Sequence, residues 1–158
     1  HSEAGKGATF DIYLPCVDEL PDERPVRAVP AGLPRGDEHL LLVEDEATVR
    51  ALIARALREL GYTIVELSNG EEALHYVESH PREHFDLLLT DVMMPRLGGE
   101  QLAERLTADY PALKVLFISG HTNSAKLTHG RLQAEQLILT KPFAPSLLAR
   151  QLRAVLES

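Results

Sequence analysis

The chain has a single cysteine, Cys16, among its 158 residues. It cannot close an internal disulfide, and no Cys or His group with metal-ligand spacing accompanies it, so a reducing compartment is expected. Basic residues are also in short supply: 16 Lys and Arg against 24 Asp and Glu leave a net charge of −8. These cations are scattered rather than gathered into a stripe, which argues against a surface for phosphate backbones and so against nucleic-acid binding. No apolar run approaches the ~20 residues of a membrane span. The opening HSEAGKGATF is too mixed and polar for a secretory leader. A cytoplasmic fragment without direct membrane contact is expected, and a parent chain is free to be membrane-anchored. What is present, 44% hydrophobic and 25% charged residues, is the composition of one well-cored domain of ordinary size.

Three zones differ in composition. Residues 1–15, HSEAGKGATFDIYLP, hold a glycine-flanked turn and then an alternating run, Phe10, Ile12 and Leu14, that fits one half-buried strand. Residues 16–37 place Pro21, Pro25, Pro30 and Pro34 among charges with little to bury, as in a stiff, disordered linker. From Glu38 to Glu157 short apolar runs alternate with helical ones. The runs are HLLLVE from His39, YTIVE from Tyr62, FDLLLT from Phe85, VLFIS from Val115 and LILT from Leu137. Four of the five are almost continuously apolar, the signature of parallel strands covered on both faces. YTIVE is the most polar and is the expected edge. Between the runs, Val49, Leu52, Ile53, Leu57 and Leu60 recur at helical spacing, as do Leu102, Leu106 and Tyr110. Ser68 and Glu71 are spaced as a capping box for the second helix, and Pro145 suits the first turn of the last. A fourth helix is expected between Thr122 and Gln136. The pattern predicts an α/β fold, an open doubly wound parallel sheet of five strands.

In such sheets ligands sit outside the carboxyl ends of the strands, near the point where strand order reverses. Polar residues interrupt the apolar runs there: Glu44-Asp45-Glu46 after the first, Asp91 after the third, Ser119-Gly120 after the fourth and Lys141-Pro142 after the fifth. Taken singly, these read as first-turn acids, a helix cap and two surface turns. Taken together they converge on one pocket. Three carboxylates within several ångströms either share protons or hold a hard cation. Oxygen-only ligands favour Mg²⁺, which keeps several waters and suits phosphoryl chemistry. Lys141 supplies a cation and Ser119 a hydroxyl for phosphoryl oxygens. Asp91 is the best nucleophile, since a carboxylate can accept a phosphoryl group as an acyl phosphate.

LLVEDE, LLLTDVMMPRLGG, LFISGH and ILTKPF occur in the order and spacing of the response-regulator receiver domains of two-component systems, and residues 38–157 resemble that family. The resemblance implies a flavodoxin-like sheet of order 2-1-3-4-5 and Asp91 as phosphoryl acceptor. It implies Mg²⁺ held by Asp45, Asp91 and the Met93 carbonyl, with Glu44 acting through water. Ser119 and Lys141 become the switch hydroxyl and ammonium, the Lys141–Pro142 bond is cis, and the donor is a phosphohistidine on a histidine kinase or histidine phosphotransfer domain. Two positions depart from the family. Glu44 stands where Asp is more usual, and Ile138 replaces the aromatic often found three residues before the lysine. HSEAGKGATFDIYLP is similar to the last glycine box and final strand of the ATP-binding domain of sensor histidine kinases. The expected context is the C-terminal receiver of a hybrid kinase, residues 1–15 being a kinase remnant that does not fold alone.

Two alternatives compete. A degenerate receiver acting purely as a binding module is disfavoured by Asp91, Ser119 and Lys141. An aspartyl-nucleophile phosphatase usually carries a second Asp two residues after the first, where this chain has Met93. The expectation is a phospho-acceptor with at most slow autodephosphorylation, within a parent chain that is a histidine protein kinase. Among the seven histidines, only His80 superficially resembles a phosphodonor, and Pro81 ends its helix at once.

Overall fold

The structure, a computed structural model, describes residues 2–3, 7–8, 32–120 and 138–158. The elements are β1 (Ser2–Glu3), β2 (Gly7–Ala8), β3 (His39–Val43), α1 (Ala47–Glu59), β4 (Thr63–Leu67), α2 (Gly70–Ser79), β5 (Leu87–Asp91), α3 (Gly99–Asp109), β6 (Lys114–Ser119), β7 (Ile138–Thr140) and α4 (Pro145–Leu156). β1 and β2 pair antiparallel. The expected strand over Phe10–Leu14, most of the linker, His121 and the helix expected between Thr122 and Gln136 lie outside the described residues.

β3 to β7 form one parallel sheet in the order β4-β3-β5-β6-β7. Counted within the sheet this is 2-1-3-4-5, and the polar YTIVE run is an edge, both as expected. Successive side chains of a strand face opposite sides, so the near-continuous leucines feed two cores. Leu40, Leu42, Leu87 and Leu89 meet Ile53 and Leu57 of α1 and Leu148 and Leu152 of α4. Leu41, Val43, Leu88 and Phe117 meet Ala73 and Val77 of α2 and Leu102 and Leu106 of α3. Each fully buried leucine contributes about 2 kcal/mol of transfer free energy, so both helical layers are held mainly by the apolar strands between them.

The helix signals held with local changes. On α1, Leu52 belongs to the apolar recurrence yet is 61% exposed. The capping box is one residue later than Ser68/Glu71: Asn69 is the N-cap, its side-chain oxygen accepts from the Glu72 N–H at 2.9 Å, and the Glu72 carboxylate reaches back to the Ser68 N–H at 2.8 Å. Asn69 is extended at φ −163°, which aims its short oxygen at the first turn. Pro145 opens α4 as expected.

At the amino end of the sheet, contacts begin before Glu38. Leu33 packs against the first core, Arg35 donates to the Glu59 carbonyl at 2.9 Å, and the Gly36 N–H donates to the Leu60 carbonyl at 3.2 Å. Gly61 closes α1 at φ +106°, where a side chain is strained. A Cβ there would lie 2.5 Å from the Gly36 carbonyl oxygen.

Candidate functional site

Strand order reverses between β3 and β5, whose neighbours lie on opposite sides, and this opens a crevice at their carboxyl ends. Glu44 and Asp45 follow β3, and Asp91 ends β5. β6 ends in Ser119, and the Lys141 N–H extends the β6–β7 ladder by donating to the Ser119 carbonyl at 2.7 Å. The Lys141–Pro142 bond is cis, as the resemblance implied.

Four of the residues singled out from the sequence meet here. Lys141 Nζ donates to Glu44 Oε2 at 2.7 Å and to Asp91 Oδ2 at 2.6 Å. Carboxylate oxygens of Glu44, Asp45 and Asp91 lie within 4.8 Å of one another. Glu44 is 1% exposed and Asp91 7%, whereas Asp45 is exposed. Ser119 is buried at the next strand end. The second Asp91 oxygen accepts from the Met93 N–H at 2.8 Å. That bond turns the chain sharply at the end of β5 and brings the Met93 backbone beside the acids, while the Met93 side chain is 73% exposed.

The electrostatics are unbalanced. Two unlike charges stand at hydrogen-bond distance twice over, yet among the described residues the three carboxylates share one directly bonded ammonium. Like charges at this separation repel by on the order of 3 kcal/mol per pair at an effective dielectric near ~20. Burial pushes the Glu44 carboxyl above the ordinary carboxylate range, and Asp91 adds to the rise against the opposing pull of Lys141. Burial works to lower the Lys141 ammonium, but its bonds to Asp91 and Glu44 outweigh this and hold it above the usual lysine value. The lysine therefore stays charged. Asp45 has no hydrogen bond or ion pair among the described residues. An exposed carboxylate beside two buried ones, all offering oxygen, is the donor set that a hard divalent cation takes. These residues fit Mg²⁺.

Two contributions were not anticipated from sequence. Gly99 reads as a simple helix start, but a Cβ on it would lie 2.1 Å from the Asp91 carbonyl oxygen and 2.9 Å from Thr90 Oγ1. Only glycine lets α3 begin against the strand that carries Asp91. Arg50, on α1, donates through Nη1 to the Glu44 carbonyl oxygen at 2.6 Å. Ile138 pairs opposite Phe117 in the β6–β7 register and packs against the second core, so an aliphatic side chain fills the position where the family often has an aromatic.

A family model described as the response regulator receiver domain matches residues 40–153. Over 163 aligned positions the chain is 36% identical to the sensor kinase CckA of Brucella abortus (strain 2308), covering 99% of this chain and 17% of that protein. It is 35% identical to the response regulator receiver protein CpdR of the same organism, covering 67% of this chain and 86% of CpdR. A crystal structure of the receiver domain from the hybrid histidine kinase CckA superposes with a TM-score of 0.61 at 33% identity, covering 75% of this chain and 98% of that one. The chain thus spans about a sixth of the CckA kinase's length. With the receiver topology and the acid–lysine crevice, these matches place the chain in the response regulator receiver domain family of two-component systems, the phospho-acceptor modules of those pathways.

Proposed function

We propose that Asp91 is the phosphoryl acceptor and that the donor is a phosphohistidine on a histidine kinase or histidine phosphotransfer domain. One Asp91 carboxylate oxygen forms the new P–O bond as the P–N bond of the phosphohistidine breaks. The bonding pair leaves with the imidazole nitrogen, which takes a proton from solvent. Lys141, already at 2.6 Å from Asp91, neutralises charge on the incoming phosphoryl oxygens, and the Ser119 hydroxyl donates to one of them. Asp45, Asp91 and the Met93 carbonyl, with Glu44 acting through water, would hold Mg²⁺, which would supply charge neutralisation for the transferring group. Catalysis is positioning and neutralisation, with no proton-abstracting base. Hydrolysis of the acyl phosphate by water later restores the carboxylate.

The observation that carries this reading is the Lys141 bridge between Glu44 and Asp91, beside an Asp45 that has no partner among the described residues. A test is Mg²⁺ with beryllofluoride, a phosphoryl mimic, followed by amide chemical shifts. Wild type should respond at Met93, Gly98, Gly99 and Ser119, and Asp91→Asn should not. Equal responses would remove the acceptor assignment. Met93 is further proposed to shield the acyl phosphate from water, so Met93→Asn should shorten the phosphorylated lifetime several-fold. An unchanged lifetime would remove that role.

The wider setting is a hybrid histidine kinase. Residues 1–15 are read as the end of its ATP-binding domain, 16–37 as a linker whose last residues, from Leu33, pack onto the receiver, and 38–157 as the receiver. The alignment to the CckA sensor kinase over 99% of this chain supports this, as does the resemblance of HSEAGKGATFDIYLP to the last glycine box and final strand of kinase ATP-binding domains. A cytoplasmic setting is proposed from the histidine-kinase context alone; among the described residues no helix is long and apolar enough to cross a membrane.

A further inference from the structure

Arg50 occupies a place where local helix electrostatics disfavour it. It is the fourth residue after the N-cap Glu46 of α1, and a cation near a helix N-terminus opposes the helix dipole. Its guanidinium turns back past that terminus and donates to the Glu44 carbonyl oxygen at 2.6 Å. That carbonyl belongs to the peptide joining Glu44 to Asp45, so its orientation sets where the Asp45 carboxylate stands. The Glu44 side chain is held by Lys141 at 2.7 Å, and more weakly by the Glu46 N–H at 3.4 Å. The Asp91 side chain is held by Lys141 and the Met93 N–H. Nothing among the described residues grips the Asp45 side chain, and it depends on its backbone alone.

We infer that Arg50 is a positioning residue for the acidic cluster: by holding the Glu44–Asp45 peptide it presents the Asp45 carboxylate to the same cation as Asp91. The inference rests on the Mg²⁺ reading above. It differs in sign from a purely electrostatic role. A guanidinium beside a cation site repels the cation, so charge alone predicts that removing Arg50 tightens Mg²⁺ binding. Positioning predicts the reverse, since loss of an outer partner that orients a ligand typically weakens metal affinity ~10-fold or more.

The experiment is Mg²⁺ titration of the whole chain, followed by amide shifts of Asp45, Asp91 and Gly99, for wild type and the Arg50→Met, Arg50→Gln and Arg50→Lys variants. Arg50→Met keeps much of the stem and loses donor and charge; binding should weaken about 10-fold. Arg50→Gln keeps a neutral donor and should fall between Met and wild type. Arg50→Lys keeps charge and one donor and should recover to within about threefold of wild type, less than a fork but more than no donor. In an Asp45→Asn background Arg50→Met should have little further effect, because both act on one ligand. Affinity unchanged or tightened in Arg50→Met overturns the inference, as does full additivity with Asp45→Asn. If Arg50→Met does not fold, Arg50→Gln decides by the same sign: weaker than wild type supports positioning, equal or tighter overturns it. A wild-type chain without any Mg²⁺-dependent shift would instead sink the metal reading, and this inference with it.

Discussion

At the carboxyl end of the sheet Lys141 holds Glu44 and Asp91 at 2.7 and 2.6 Å; at the amino end Arg153 binds Glu38 and reaches Glu157 at 3.1 Å. Each end joins one cation to two carboxylates, but the surroundings differ. Glu157 is 67% exposed, so water screens it and little repulsion accumulates. The guanidinium, bonded to Glu38, stays fully charged above its ordinary range. Gly36 and Tyr62 fit closely around that pair, with no room for a Cβ on Gly36. Nearby, the His39 N–H donates to Asp86 at 2.8 Å. The amino end ties the residues before β3 to the last helix. At the carboxyl end both carboxylates bonded to lysine are buried, and a third stands within 4.8 Å with no ion pair of its own among the described residues. Paired, screened charge supports a fold, whereas desolvated and unbalanced charge is poised for a ligand.

The comparison breaks if the two cations prove interchangeable in their effects. Lys141→Met leaves Glu44 and Asp91 facing each other uncompensated. Urea unfolding should show a loss of about 3 kcal/mol, part of it returned by millimolar Mg²⁺, together with severely slowed phosphorylation. A smaller effect is expected from Gly99→Ala, where the new Cβ must push α3 from the Asp91 backbone: about 2 kcal/mol, with the β5–α3 loop displaced in amide spectra. Arg153→Met at the opposite end, where only the Glu157 partner is well exposed, should cost about 1 kcal/mol, less than Lys141→Met, and leave the phosphorylation rate as in wild type. A change in that rate for Arg153→Met would mean that the two ends are coupled and not separate.

How much of this was legible in the sequence depended on how local the cause was. HLLLV and DLLLTD pointed to buried parallel strands because they are short, continuous apolar runs bounded by polar residues, and the polar YTIVE edge followed from the same logic. Glu44, Asp45, Asp91 and Lys141 were visible because each ends an apolar run, and topology alone then brings them together. The second helix cap was misplaced by one residue because Ser68, Asn69, Glu71 and Glu72 all carry capping chemistry, and only the extended backbone at Asn69 selects among them. Leu52 fits the helical recurrence of α1, but that recurrence spans more of the helix surface than the sheet covers. Gly99 and Arg50 were illegible in these roles, since one acts through a close approach to Asp91 and the other through a bond to a backbone carbonyl. Neither leaves a spacing signal.

The carboxylate cluster is proposed to let Asp91 accept a phosphoryl group with Mg²⁺. The most direct measurement is incubation of the chain with acetyl phosphate, with and without Mg²⁺, and mapping of the label by mass spectrometry after acid quench. One phosphoryl group is predicted on the peptide containing Asp91, dependent on Mg²⁺ and absent in Asp91→Asn. Label on another residue, or undiminished label in Asp91→Asn, would contradict it.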